Sequence, residues 1–122
     1  MTEERLALGR WGEEQAVLFL RRQGFRILER NYRTRVGEID IIARNRRLLL
    51  FVEVKTRRGQ ACGLPQEAVG IFKQRQIIRT AQWYLNNQLA GRLQPRFDVI
   101  AVRQWRDEAF IEHLPNAFGL DF

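Results

Sequence analysis

The sequence predicts an α/β fold in which helices cover a mixed β-sheet, in the order αβββαββ. Three observations lead there. Two long stretches carry apolar residues at helical three-and-four spacing, four or five short runs are rich in Ile, Leu, Val and Phe, and one of the helical stretches separates the third run from the fourth. A strand reached through a helix pairs parallel to an earlier one, by a right-handed crossover. Strands joined by short turns pair antiparallel.

The first helix is expected from Glu3 to Gln23. Thr2 can cap it, Glu3 and Glu4 suit its positive end, and Arg21, Arg22 and then Gly24 suit its close. Gly9 and Gly12 weaken such a helix, which suggests close approach of another backbone. Glu13, Ala16, Val17 and Leu20 share one face, which points a carboxylate toward the interior side. Phe25 to Arg35 reads as a first strand that ends at the turn Val36-Gly37. Glu38 to Ala43 and Leu48 to Thr56 follow as a hairpin around the polar segment Arg44-Asn45-Arg46-Arg47. A loop with Gly59, Gly63 and Pro65 leads to a second helix between Gln66 and Leu89, with Ile71, Ile77, Ile78, Ala81, Leu85 and Leu89 toward the core. Phe97 to Arg103 is a fourth strand and Ala109 to Leu114 a short edge strand.

With 122 residues the chain is expected to form a single domain, residues 1–122. No apolar tract approaches the about 20 residues that cross a bilayer, and the N-terminus lacks a secretory pattern, so a cytoplasmic protein without membrane contact is expected. One cysteine, Cys62, and one histidine, His113, leave oxygen as the ligand for any metal. The formal net charge of +7 points to a polyanionic partner, nucleic acid. All basic residues except Lys55 and Lys73 are arginine. Arginine grips phosphate with a planar fork, whereas lysine is a compact charge.

The hairpin carries the chemistry. Alternation along strands puts Glu38, Asp40 and Ile42 on one face, and Leu49, Phe51, Glu53 and Lys55 on one face of the next strand. A register whose paired positions sum to an odd number brings the four charged residues to one side, and leaves Ile39, Ile41, Leu48, Leu50, Val52 and Val54 as an apolar opposite face. We expect that register. Two carboxylates about 5 Å apart then repel by roughly 3 kcal/mol at an effective dielectric of about 20. Either a divalent ion removes this cost, or the face is solvated and compensated by Lys55 and nearby arginines, with one acid's pKa raised. Leu49 and Phe51 on the same face favour the ion. Mg²⁺ or Mn²⁺ held by Asp40 and Glu53 would activate water, with Lys55 beside it, which is hydrolytic nuclease chemistry. Glu13 is a candidate third carboxylate and Glu38 an auxiliary acid.

The segments "GEIDIIA" and "FVEVKTR", preceded by "GRWGEEQAVLFL" and followed by Lys73, "RFDVIAV" and "HLPNAF", resemble the bacterial YraN family across about Gly9 to Phe118. That family looks like a member of the PD-(D/E)XK nuclease superfamily. The resemblance implies a restriction-endonuclease-like core and carries Asp40, Glu53 and Lys55 onto the superfamily's active-site positions. Ile39 stands where the superfamily's motif has Pro. The chain is also similar to archaeal Holliday-junction resolvases, in which a carboxylate on the first helix joins the site. Glu13 is the matching residue.

Arg33, Arg35, Arg44, Arg46, Arg47, Arg57 and Arg58 fall at the ends and loops of the hairpin and are read as a phosphate-tracking rim, with Lys73 able to lean toward a phosphate. No base-reading motif is evident, so backbone or structure rather than sequence is the expected target, and DNA the expected nucleic acid. Two function classes follow. One is a Mg²⁺- or Mn²⁺-dependent endonuclease acting on branched or distorted DNA, for which symmetric cutting of a junction would require a homodimer. The other is a catalytically idle nucleic-acid-binding module that positions a partner, or, as a third reading, a basic structural accessory protein that uses the arginines on RNA. Asp98 is expected to pair with an arginine and His113 to be a hydrogen-bonded edge-strand residue.

Overall fold

The computed structural model describes residues 2–59, 69–87 and 91–119. Its elements are α1 (Glu3–Arg22), β1 (Arg26–Arg33), β2 (Glu38–Arg44), β3 (Leu48–Arg58), α2 (Ile71–Asn87), β4 (Gln94–Trp105) and β5 (Glu108–Phe118). This is the expected αβββαββ order. The sheet order follows the chain, β1-β2-β3-β4-β5. Among the described residues only β3 and β4 pair in parallel; the other pairs are antiparallel.

Thr2 caps α1, its Oγ1 accepting from the Arg5 N–H at 3.2 Å. At the other end Gly24 adopts φ +90° and the Phe25 N–H reaches back to the Leu20 carbonyl at 2.9 Å, a left-handed closure that glycine permits without a Cβ clash. Gly12 is where α1 lies against the sheet: a Cβ there would come within 2.6 Å of Thr56 Cγ2. Gly9, expected to share that role, has nothing within 4 Å.

The two sheet faces are covered separately. On one, Ala16, Val17 and Leu20 of α1 pack on Ile41, Ala43, Leu50, Val52, Ile100 and Val102. On the other, Ile77, Ile78, Ala81 and Tyr84 of α2 pack on Ile39, Ile42, Leu49, Phe51, Phe97 and Val99. Each of these side chains is almost wholly removed from water, and such burial stabilises by about 1.5–3 kcal/mol for each large aliphatic or aromatic residue.

Some boundaries differ from expectation. Ile71, assigned to the core, is 55% exposed in the first turn of α2. Gly63, Pro65, Gln66 and Leu89 lie outside the described residues. The last strand runs past Leu114 to Phe118 because its register shifts between Phe97 and Val99, which absorbs Pro115 and lets Asn116 adopt φ +54°. An edge strand tolerates a proline in this way. Among the described residues no helix is long and apolar enough to cross a membrane.

Candidate active site

The β2/β3 pairs Ile41↔Val52, Ile42↔Phe51, Ala43↔Leu50 and Arg44↔Leu49 have the odd register, and continuing it sets Asp40 opposite Glu53. The ladder does not continue through that pair. Instead the Asp40 side chain replaces a backbone acceptor, its Oδ2 taking the Val54 N–H at 2.8 Å.

The strict alternation expected for β2 also fails here. Ile39, expected to share a face with Ile41, packs in the α2-side core while Ile41 packs under α1. The partner strand changes side at the same level. Arg30, opposite Ile41, reaches Glu13 and Glu14 of α1, whereas Tyr32, opposite Ile39, stacks edge-on against Tyr84 of α2 with centroids 5.2 Å apart. Between them Asn31 sits at φ +52°, a conformation that Asn adopts more readily than most residues. Asp40 therefore stands where the hairpin twists between the two helix layers, and it feels the charges of both Glu13 on α1 and Lys73 on α2.

Glu53 follows from Phe51 on the α2 side and is 5% exposed. Among the described residues its Oε2 has no hydrogen-bond partner. Its Oε1 lies 3.9 Å from Lys55 Nζ, near the outer limit for an ion pair. Burial, and next the neighbouring Asp40, push the Glu53 pKa up to about 7, against the pull of Lys73 and Lys55. Asp40 is also raised, chiefly by burial, with the Val54 N–H opposing. Two acids disfavouring each other's charge, with one oxygen left without a donor, form a pair suited to a hard cation or a shared proton.

The other expected site residues are distributed as follows. Glu13 is occupied: Asn31 Nδ2 donates to its Oε1 at 2.9 Å and Arg30 Nε at 3.4 Å. Among the described residues no three His, Cys, Asp or Glu side chains converge to hold one ion. Any metal held by Asp40 and Glu53 would thus be completed by water and other oxygens rather than by a third carboxylate from Glu13. Glu38 is half-exposed, pairs with Arg33 at 3.2 Å and raises both central acids. Lys73 lies one turn before Gln76, whose side chain covers Gly37 so closely that a Cβ there would meet Gln76 Cγ at 2.5 Å. Asn31, which holds Glu13, was missed by the sequence reading. The only signal for it was an Asn inside a strand pattern.

The single arginine rim is corrected. Arg33, Arg35, Arg57 and Arg58 lie toward the Asp40–Glu53 end of the hairpin, but Arg44, Arg46 and Arg47 lie at its opposite end. Antiparallel pairing makes this unavoidable, since the β2–β3 turn and the start of β2 are a strand length apart.

A family model described as "Uncharacterised protein family UPF0102" matches residues 12–102. The chain belongs to the UPF0102 family. This agrees with the YraN-like resemblance read from the sequence. A UPF0102 protein of Syntrophotalea carbinolica is 65% identical over 121 residues, spanning 99% of this chain and 98% of its own. UPF0102 proteins of Geotalea daltonii and Trichlorobacter lovleyi are 52% and 50% identical, each over more than nine-tenths of both chains. The span matched by the UPF0102 model contains Asp40, Glu53, Lys55 and Lys73, and stops before His113.

Proposed function

We propose that this UPF0102 protein is a divalent-metal-dependent endonuclease of the PD-(D/E)XK type, hydrolysing DNA phosphodiester bonds with a preference for branched or distorted DNA. The observation that carries the reading is Glu53, a buried carboxylate with an oxygen that has no partner among the described residues, facing Asp40 and followed two residues later by Lys55. The donor set fits a hard cation: oxygen ligands, two mutually repelling acids, and an orphan acceptor that a cation would satisfy. Asp40 and Glu53 are the residues that would hold Mg²⁺ or Mn²⁺. When bound, such an ion neutralises the pair, polarises the phosphodiester and lowers the pKa of its water.

The chain's own groups supply the rest. The Val54 N–H fixes the orientation of the Asp40 carboxylate before any ligand arrives. Lys55, about one-third exposed, offers a movable ammonium that orients the attacking water or stabilises charge on the pentavalent phosphorus. Arg35, Arg57, Arg58 and Lys73 present cations toward the same end of the sheet, where they would hold the DNA backbone. Purified protein should cut DNA in Mg²⁺ or Mn²⁺, and Asp40→Asn or Glu53→Gln should lower the rate by about 100-fold or more. Mn²⁺ should also raise the melting temperature of the native chain but not of Asp40→Asn.

The second reading, an idle nuclease fold that binds nucleic acid and positions a partner, is favoured by one observation: Glu13 is engaged by Arg30 and Asn31 rather than by the central acids. It predicts salt-sensitive binding with neither cleavage nor a Mn²⁺-dependent melting shift.

A further inference from the structure

Arg26 and Arg44 are direct partners across the β1/β2 ladder. Like charges placed opposite each other on antiparallel strands repel, and the β2–β3 turn adds Arg46 and Arg47 to the same place. With Gly24 and Asn45 these four arginines line an open pocket of about 690 Å³. Among the described residues no acid lines it, and none of the four arginines forms an ion pair with a carboxylate. Arg30, Arg33 and Arg96 each do so elsewhere.

The backbone that carries this charge is fixed. Asn45 Oδ1 accepts from the Arg47 N–H at 2.9 Å and the Leu48 N–H at 2.7 Å. The Asn45 N–H donates to the Leu48 carbonyl, and the Gln94 N–H donates to the Arg47 carbonyl at 2.8 Å. Arg44 Nε donates to the Asn45 carbonyl at 3.2 Å. The turn is thus pinned from within and from β4, while Arg26, Arg46 and Arg47 remain exposed. An uncompensated cluster of guanidinium forks on a fixed backbone has the chemistry of a phosphate receptor.

We propose that this pocket is a second phosphate-binding site, a remote anchor for the backbone of duplex DNA, separate from the carboxylate pair. Arg44 lies four positions along β2 from Asp40, about 13 Å along the strand. A major groove is about 12 Å wide, so one duplex can offer phosphates to the anchor and to the Asp40–Glu53 end together. A mononucleotide reaches only one of them. The nature of the polyanion rests on the nuclease reading; the pocket and its unpaired charge do not.

The test is binding of a labelled duplex in EDTA across a salt series, with the native chain, Arg46→Ala/Arg47→Ala, and a control of equal charge loss on the outer face of α2, Arg75→Ala/Arg79→Ala. Each phosphate contact removed should make the log–log salt slope shallower by about 1, hence by about 2 for the turn variant, with little change for the control. Melting curves in the same buffer confirm that each variant is folded. An unchanged slope for the turn variant, or an equal loss in the control, overturns the anchor. Equal competition by a mononucleotide at matched phosphate concentration overturns its assignment to a polymer backbone. Failure of the nuclease reading appears separately, as absent cleavage and an absent Mn²⁺ melting shift in the native chain, while the difference in slope persists.

Discussion

Glu53 and Asp98 are near neighbours on adjacent parallel strands, Asp98 opposite Val52 and Glu53 opposite Val99, and both are buried. Their surroundings are opposite. Asp98 accepts from Arg96 Nε and Nη2 at 2.9 Å each, from the Asn116 N–H at 3.1 Å, and from His113 Nε2 at 2.7 Å. An ionised carboxylate only accepts, so His113 carries its proton on Nε2. Burial alone would raise the Asp98 pKa, but the hydrogen bonds from His113, Arg96 and Asn116 outweigh it and hold the carboxyl below its ordinary value. Glu53 has Lys55 at 3.9 Å, a like-charged Asp40, and one oxygen with no donor among the described residues. Burial alone therefore does not single out a candidate site acid; what separates the two is whether the fold completes the carboxylate's hydrogen bonds.

The largest effect should come from the completed acid. Asp98→Ala leaves Arg96, His113 and the Asn116 N–H facing an apolar gap, and should destabilise the fold by about 3–5 kcal/mol in urea unfolding. A loss below about 1 kcal/mol would erase the contrast with Glu53. Next is the pH response of the uncompleted acid in metal-free protein. The folded state binds the Glu53 proton more tightly than the unfolded chain does, so this contribution makes stability fall as pH rises from about 4.5 to about 7, by on the order of 3 kcal/mol. Glu53→Gln should flatten that window and exceed the native chain in stability at pH 8. Asp98 works in the other direction, its contribution being lost only as pH falls through the carboxylate range. The smallest effect is expected at Lys55. Lys55→Met should cost less than about 1 kcal/mol in stability, as partly exposed pairs do, while moving the midpoint of the native chain's pH-dependent decline upward.

Much of this arrangement is legible in the residues. The odd register follows from alternation, because it leaves Ile41, Leu50 and Val52 as one apolar face for a helix to cover, with no acid among them. The Arg96–Asp98 pair and the hydrogen-bonded His113 follow from the rule that a buried charge finds a partner. Three things were not legible. The twist at Asn31 depends on a positive φ in a non-glycine residue, and it moves Ile39 to the other face and gives Glu13 a partner of its own. The extension of β5 past Pro115 depends on a bulge whose Asn116 N–H is satisfied by a side chain on another strand. The division of the arginines into two groups depends on strand direction, which places residues close in sequence at far ends of a hairpin.

Every pair in the β3/β4 ladder, from Leu48↔Gln94 to Arg58↔Gln104, joins positions 46 residues apart. Long-range parallel pairing of this kind is slow, because the intervening loop must close before any contact rewards it. During synthesis the apolar run Leu48–Val52 therefore emerges well before the strand that shields its open side. This segment is the one from which misassembly between nascent chains would start, and Glu53 gains its neighbour across the ladder, Val99, only with this slow joining.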